Sequence, residues 1–376
     1  MTTTRVPSRA DLLGKARDLV PVLKERALST ERLRRLPRET VDDLVASGLI
    51  RLGVPERFGG WGAEYDLAYD VAIELGRGCS SSAWCYSLWA VHAWMVGHWP
   101  EPAQVDFFST AGPDTLCSSS FAAKSVSAEP CEGGLRLSGH WEFSSGSDPS
   151  HWALLGTGTP FVLALVPRSD YQIVDTWHVS GLCGTGSNDI TIPEPVFVPD
   201  YRILDLTRAG VEDQTGWELH RQANYRVPLR VLLAWDLVAP LVGIALGAVD
   251  EFTARFAGSL AADSDVIRLR LAEASAEADA ARVLLRQSVD RVLAKGAAGE
   301  PYSELERARN QRDRAFVVRL CMQAVNRLFD VSGGHALFLT NPLQRFHRDA
   351  QAVSHRAGLL FESVGPLYGG LALQRA

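Results

Sequence analysis

The stretch LSGHWEFSSGSD, residues 137–148, belongs to the part of the chain whose pattern decides the fold. From Leu116 to Val198 the sequence alternates between apolar and polar residues and is rich in Gly, Ser, Thr and Pro. Alternation with frequent turn residues predicts short β-strands. No helix-length segment separates them, which argues against a parallel βαβ sheet and favours a small antiparallel barrel or sandwich. The predicted strands are Gly134–Gly139, Ala153–Thr157, Phe161–Val166, Gln172–Thr176 and Ile190–Val198.

Helical patterns flank this segment on both sides. Before it, apolar residues recur at three-to-four spacing in residues 10–27, Ser29 and Thr30 are expected to begin a second helix, and a long helical run follows from Tyr65 to Val105. After it, the predicted helices are Leu229–Phe256, Val266–Lys295, a third that starts at the capping box of Ser303 and Glu306 and ends at Asp330, and a fourth after Asn341-Pro342. We therefore predict an α+β fold with an N-terminal α-helical domain (1–112), a middle antiparallel β domain (113–215) and a C-terminal four-helix bundle (216–376).

Composition narrows the class of protein. A length of 376 residues suits two or three packed subdomains, and the net charge of −6 argues against nucleic acid or an anionic membrane as partner. The six cysteines form no C-x-x-C pair and no histidine lies at zinc-finger spacing, so no metal site is expected. The N-terminus has no apolar signal core, and the apolar stretch around Val231–Val249 is interrupted by Asp236 and Pro240. These features predict a cytoplasmic protein with a buried apolar helix.

Three motifs in this order of helices, strands and helices resemble the acyl-CoA dehydrogenase fold. VPERFGG at Val54–Gly60 resembles the Pro-Glu-x-x-Gly-Gly loop of that family. LSGHWEFSSGSD resembles the strand that passes the flavin ring, and RDAQAVSH at Arg348–His355 resembles the start of the C-terminal helix beside the active site. The resemblance covers almost the whole chain.

Finer details resemble one branch, the oxygenase components of two-component flavin monooxygenases. The matching segments are GRGCSSSAWCYSLWAVHAW at Gly76–Trp94, SSSF at Ser118–Phe121, FSSGSD at Phe143–Asp148 and NPLQRFHRDAQAVSH at Asn341–His355. The branch includes 4-hydroxyphenylacetate 3-hydroxylase and the phenolic seco-steroid hydroxylase of sterol breakdown. The resemblance implies externally supplied reduced FMN or FAD, with FMNH2 slightly favoured, together with O2, a separate NAD(P)H-flavin reductase, a small aromatic substrate and a homotetramer.

The chain departs from the dehydrogenases at the catalytic base. Where the commonest members carry a Glu, the sequence reads His355-Arg356-Ala357-Gly358, and the alternative base position falls near Leu233-Ala234. Glu362 is the nearest acid after His355. Two alternatives stay open: an acyl-CoA dehydrogenase or oxidase that uses Glu362 or a loop carboxylate, and a non-catalytic subunit of a biosynthetic complex.

The resemblance also implies which residues hold the flavin. Reduced flavin and O2 form a C4a-(hydro)peroxide, which survives only in a dry pocket with a few hydrogen-bonding groups. Phe143 provides apolar cover, and the hydroxyls of Ser144 and Ser145 are placed to reach N5 or O4. Trp141 and Phe121 are expected to wall the flavin or substrate. Gly333 and Gly334 resemble the bundle segment that a neighbouring subunit contributes; a helix-ending glycine pair is the alternative.

Ring hydroxylation is electrophilic substitution, so a base that removes a phenol proton would make the ring more reactive. Histidine suits this role because its usual pKa is about 6.5. We predict His92, Ser118, Ser145 and His355 as catalytic residues, and Trp89, His92, Ser118 and His355 as the substrate site. N- or S-oxygenation by the same flavin chemistry is the alternative reaction, and a hydrogen-bonded core histidine is the alternative reading of His92.

Overall fold

The computed structural model describes residues 6–159, 161–209, 211, 213–355 and 357–374. Helices, then strands, then helices follow one another in the predicted order, so the fold class is confirmed. The N-terminal helices are α1 (Arg9–Leu33), α2 (Arg38–Ala46), α3 (Asp66–Gly76), α4 (Ser80–Val96) and α5 (Glu101–Phe108). The strands are β1 (Cys117–Ser120), β2 (Ala122–Cys131), β3 (Gly134–Ser144), β4 (Trp152–Gly156), β5 (Val162–Pro167), β6 (Gln172–Val174), β7 (Asn188–Pro199) and β8 (Ile203–Asp205). The later helices are α6 (Thr215–His220), α7 (Leu229–Leu232), α8 (Trp235–Phe256), α9 (Asp265–Ala298), α10 (Glu304–Asp330), α11 (Pro342–Ser354) and α12 (Phe361–Leu373).

The strands form two four-stranded sheets, ordered β1-β4-β5-β8 and β2-β3-β7-β6. Neighbours pair antiparallel except β1 and β4, which are parallel. Leu137, Trp141, Ala153 and Ile190 belong to a buried cluster shared by the two sheets. The predicted sandwich is thus present, and its parallel pair comes from β1, a strand that the sequence pattern did not predict.

Two helix predictions were wrong, and one helix was missed. Helix α1 continues through Ser29 and Thr30, where a second helix was expected to begin; the Thr30 hydroxyl bonds back to the Arg26 carbonyl instead of capping a new helix. The predicted helix Leu229–Phe256 is broken after Leu232, and α12 was not predicted at all. The capping box of Ser303 and Glu306 is present at the start of α10, as predicted.

Helix α4 lies at the centre of the molecule, and all of its residues are buried. It packs on α3, on α8 and on strand β1. The segment Leu229–Phe256 is apolar and long enough to cross a membrane, but 78% of its most apolar window is buried inside the protein. Its apolar character is that of a helix whose neighbours cover it on nearly every side.

Buried His98 and half-buried His220 both pack against Tyr225 beyond the C-terminal end of α4. His98 packs edge-on against Trp94 and lies beside Tyr225, which also contacts His220. The Nε2 atoms of both histidines have no hydrogen-bond partner among the described residues. Burial lowers the pKa of His98 to about 3 and that of His220 to about 4, so both rings are neutral at neutral pH.

The His98→Phe variant tests this reading. Unfolding frees His98 to take up a proton near pH 6.5, whereas the folded ring resists protonation, so acidification favours the unfolded state. The free energy of unfolding of the wild type should therefore fall between pH 7 and pH 5 by about 2 kcal/mol more than that of His98→Phe. Urea unfolding at both pH values measures the difference, and equal losses in the two proteins would contradict a neutral His98.

Candidate active site

A cavity of about 320 Å³ lies where α4, the ends of β1–β3 and the break between α7 and α8 meet. It contains four of the predicted site residues, namely His92, Phe121, Phe143 and Ser145. The other residues of its wall are Leu88, Val91, Met95, Ser119, Ser120, Ala122, Glu142, Phe161, Leu233, Ala234, Asp236 and Leu237. Ligand sites are characteristically apolar hollows with a few convergent polar groups, and this cavity has that character.

One face of α4 forms the first wall. Leu88, Val91, His92 and Met95 are spaced three, one and three residues apart, which places them on one side of a helix. His92 is 2% exposed, and its Nδ1 lies 2.6 Å from the Cys117 carbonyl oxygen of β1. Because a carbonyl only accepts hydrogen bonds, Nδ1 carries the proton and Nε2 keeps its lone pair. Burial lowers the pKa of His92 to about 4, so the ring is a neutral base at neutral pH.

Strand β1 forms the second wall of the cavity. Ser119 and Ser120 line the cavity, whereas Ser118 does not. The Ser118 hydroxyl is fully buried and accepts a hydrogen bond from Ser144 at 3.0 Å. The role predicted for Ser118 at the substrate stays a prediction.

Ser145 lines the cavity beside the end of β3, while the hydroxyl of Ser144 is committed to Ser118. The Ser145 hydroxyl accepts a hydrogen bond from Trp84 Nε1 at 3.0 Å and lies 2.6 Å from the hydroxyl of Ser187. Of the two predicted serines, the structure therefore brings only Ser145 to the cavity.

Three phenylalanines, Phe121, Phe143 and Phe161, surround the open side of the cavity and are between 42% and 51% exposed. Phe143 and Phe161 have positive φ angles of 65° and 64°, which residues with a side chain rarely adopt. Backbone strain of this kind concentrates at functional sites. Exposed phenyl rings beside buried hydroxyls suit a flat, amphipathic ring system such as isoalloxazine.

The break between α7 and α8 forms the third wall, and buried side chains hold it. Three consecutive carbonyls that a continuous helix would use internally are instead bonded by Asn310, Tyr69 and Arg314. Asn310 Nδ2 donates to Val231 O at 2.6 Å, Tyr69 OH to Leu232 O at 3.2 Å, and Arg314 to Leu233 O.

The turn itself passes through Ala234, whose φ is 76°. Its backbone N–H donates to the Asp236 carboxylate at 2.6 Å, and the Asp236 carbonyl accepts from Ser87 at 2.7 Å. A helix that breaks in the protein interior needs such partners, because each unpaired buried group costs about 1–3 kcal/mol. The shape of this wall is therefore set by α3, α4 and α10 together.

Two carboxylates line the cavity, which the sequence did not predict. Asp236 is buried with one oxygen on the Ala234 N–H, and Glu142 lies near Lys124 at 3.9 Å. The expectation of no acid near Leu233-Ala234 was therefore wrong by two residues. Glu362, the suspected displaced base, is 77% exposed and paired with Arg319, outside the cavity wall.

Two predicted tryptophans support the site from behind. Trp141 is fully buried in the β-domain core and donates to the Gly156 carbonyl at 2.7 Å, so it walls neither flavin nor substrate in this protomer. Trp89 is fully buried, and a Cβ added to Gly146, whose φ is 66°, would lie 2.8 Å from Trp89 Nε1. It packs beneath the loop that follows β3 and does not reach the cavity.

The predicted residues of the bundle lie elsewhere in this protomer. His355 caps the end of α11, with Nδ1 2.6 Å from the Gln351 carbonyl, and is exposed. Gly333 and Gly334 precede a short 3-10 helix in open surroundings. None of the three belongs to the cavity wall. The loop GTGSND, residues 184–189, is buried against α1.

Comparison with known proteins identifies the family. The acyl-CoA dehydrogenase N-terminal domain model matches residues 15–108, and the C-terminal domain model matches residues 236–359. The oxygenase subunit HsaA, a flavin-dependent monooxygenase of Rhodococcus jostii (strain RHA1), is 37% identical over 366 residues, which cover 93% of this chain and 95% of that protein. The chain belongs to the flavin-dependent monooxygenases of the acyl-CoA dehydrogenase family.

Other members of this monooxygenase family agree in sequence and in fold. The oxygenase component of the FADH2-dependent resorcinol hydroxylase of Rhizobium sp. (strain MTP-10005) is 33% identical, covering 95% of this chain and 93% of its own. The crystal structure of 3-HSA hydroxylase from Rhodococcus sp. RHA1 superposes with a TM-score of 0.90 at 34% identity, covering 97% of both chains.

A monooxygenase of this family needs reduced flavin and O2, and the residues at the cavity fit the flavin ring. Phe121, Phe143 and Phe161 can cover its faces and edge, and Ser145 can meet a polar ring atom. Within the described residues, no group of three or more His, Cys, Asp or Glu side chains is placed to hold a metal ion. The dehydrogenase alternative that uses Glu362 lacks its base here, because Glu362 lies away from the cavity.

Arg314→Met tests how the third wall is held. Arg314 is buried, and although burial lowers its pKa to about 10 it is charged at neutral pH. Its removal leaves Leu233 O and the Asp236 charge without their buried cation, which should lower the free energy of unfolding by about 3 kcal/mol. Urea unfolding measures this loss. Arg307→Met on the exposed side of the same helix is the control and should change stability by less than about 0.5 kcal/mol; similar losses in both variants would contradict this role.

Proposed function

We propose that this monooxygenase hydroxylates the ring of a phenolic small molecule. The observation that carries the proposal is the neutral His92, which its bond to Cys117 O holds with Nε2 as the unprotonated atom in an apolar cavity. A phenol hydroxyl beside Nε2 donates a hydrogen bond to this nitrogen, which takes up the proton as the ring is attacked and so keeps the aromatic carbons electron-rich. Ser119 is placed to bind the same hydroxyl. The resorcinol hydroxylase among the relatives acts on a phenol, which supports this substrate class.

The cofactor is reduced flavin, which supplies the oxygen-transfer chemistry when bound. We propose that Ser145 contacts N5 of the ring and that Phe121 and Phe143 shield it from water. The sequence favoured FMNH2 slightly; the FADH2-dependent relative supports FADH2, and we propose FADH2. A separate NAD(P)H-flavin reductase supplies it, as the term oxygenase component implies for that relative, and both proteins act in the cytoplasm.

The His92→Ala variant tests the proposal. Purified protein given reduced FAD, O2 and a panel of phenols should form hydroxylated product, and His92→Ala should lower kcat by about 10²–10³-fold through loss of the base. Because the pKa of His92 is about 4, wild-type kcat should stay flat from pH 8 to pH 5 and fall only as His92 takes up a proton near pH 4.

Exposed His178 supplies the matched control, since His178→Ala should keep full activity. Methyl ethers of the same phenols have no proton to lose and should react slowly with both proteins. Oxidation of thioethers or amines in preference to phenols, with kcat independent of His92, would contradict ring hydroxylation and favour S- or N-oxygenation.

We propose a homotetramer in which a neighbouring protomer completes the flavin site. Leu337, Phe338 and Leu339 are 62% to 69% exposed and lie three to five residues after Gly334, and no described side chain of α12 is buried. Exposed apolar surface of this extent marks a protein contact. An assembly that covers it would explain why the predicted residues Gly333, Gly334 and His355 lie away from the cavity of their own protomer.

The double variant Leu337→Asp/Phe338→Asp tests the assembly. Two charges on a buried interface should dissociate the tetramer, and flavin affinity should fall by at least about tenfold if a neighbour contributes to the site. Sedimentation velocity and flavin titration measure both effects. Val6→Asp, a charge on an exposed residue before α1, is the control. A wild-type monomer that binds flavin tightly would contradict the proposal.

A further inference from the structure

Three hydroxyl groups and one indole form a continuous chain of hydrogen bonds beside the cavity. Trp84 Nε1 lies 3.0 Å from Ser145 Oγ, which lies 2.6 Å from Ser187 Oγ. Ser187 Oγ lies 2.7 Å from Thr185 Oγ1, and Thr185 Oγ1 lies 2.9 Å from the Leu182 carbonyl oxygen. All four side chains are buried, so water does not compete for these bonds.

The two ends of the chain fix the direction of every proton in it. The Leu182 carbonyl can only accept, and it accepts from the Thr185 hydroxyl at 2.9 Å, from Trp177 Nε1 at 3.0 Å and from the Thr185 N–H at 3.1 Å, so the Thr185 hydroxyl donates its single proton there. Ser187 must then be the donor to Thr185, which uses the proton of Ser187. Ser145 must in turn be the donor to Ser187, and the Trp84 indole, which can only donate, gives its hydrogen to Ser145.

The Ser145 hydroxyl can make one further hydrogen bond toward the cavity, and only as an acceptor. Its proton is held by Ser187 and one lone pair by Trp84, so the capacity that remains is one acceptor lone pair. Bonds aligned in one direction polarise one another, which makes the oxygen of a donating hydroxyl a better acceptor. A ligand atom that can only accept hydrogen bonds would face the lone pair of Ser145 Oγ and be repelled by it.

We propose that Ser187 and Thr185 are positioning residues that make Ser145 select the redox state of the bound flavin. N5 of reduced flavin carries a hydrogen and can donate to Ser145, whereas N5 of oxidised flavin is a bare acceptor. The site therefore prefers reduced flavin and releases the oxidised form. This inference rests on the proposed contact between Ser145 and the flavin ring, and it assigns the discrimination to two residues that need not touch the cofactor.

The test is anaerobic titration with reduced and with oxidised FAD, which gives the ratio of the two dissociation constants without turnover. Ser187→Ala frees the Ser145 proton, so the preference for reduced FAD should fall by about tenfold, the equivalent of one hydrogen bond. Thr185→Val removes the hydroxyl that accepts the Ser187 proton. Ser187 then donates to Ser145 instead, and the Ser145 hydroxyl turns its own proton toward the cavity. The ratio of the two dissociation constants should therefore shift further toward oxidised FAD than in Ser187→Ala.

Two controls separate proton direction from structural damage. Thr185→Ser keeps the chain and should keep the wild-type ratio. Ser147→Ala removes a buried hydroxyl of the same loop that bonds to Gly186 O outside the chain, and it too should keep the ratio. Ratios that fall from wild type to Ser187→Ala to Thr185→Val support the inference.

Two negative results have different meanings. An unchanged ratio in folded Ser187→Ala and Thr185→Val, with folding checked by thermal unfolding, would overturn the role of the chain and leave the monooxygenase proposal intact. A wild-type protein that binds neither form of flavin would overturn the proposed flavin site itself, and the inference with it.

Discussion

The imidazole of His92 donates a hydrogen bond to the carbonyl oxygen of Cys117, and this contact joins the central helix to the β domain at the cavity. It pairs a polar ring of a wholly buried helix, fixes which nitrogen carries the proton and leaves the other nitrogen with its lone pair. Strand β1 is held against α4 at the same point, so the position of Ser119 depends on it as well. The proposed chemistry therefore depends on the tautomer of His92, which the hydrogen bond to the Cys117 carbonyl sets.

The same constraint, that buried polar groups must be paired, shapes the rest of the site. The broken helix at Ala234 persists because Asn310, Tyr69 and Arg314 take up the carbonyls that the break releases. The chain from Trp84 through Ser145 to Leu182 O persists because each hydroxyl has one donor role and finds one acceptor. Pairing that stabilises the interior thereby also fixes the shape of the cavity wall and the hydrogen-bonding character of Ser145.

The sequence motifs predicted which elements form the site but not every residue that lines it. The motifs led to α4, β1 and the end of β3, which do meet at one cavity. Ser119 and Ser120 were missed because the position of β1 against the cavity comes from long-range strand pairing. Asp236 was missed because an acid inside an apolar run gives no sign that the helix breaks before it. Leu88, Val91 and Met95 were within reach of prediction, since they share a helix face with His92.

The sequence by itself determined the order of helices and strands, the apolar burial of the α8 segment and the family, because periodicity and local motifs are properties of neighbouring residues. Only the tertiary structure decided which side chains meet, because those contacts join segments far apart in the chain. His92 finds Cys117, Arg314 finds Leu233 and Ser145 finds Ser187 across 25, 81 and 42 residues. The direction of the protons along the hydroxyl chain is fixed only when the last acceptor, Leu182 O, is in place.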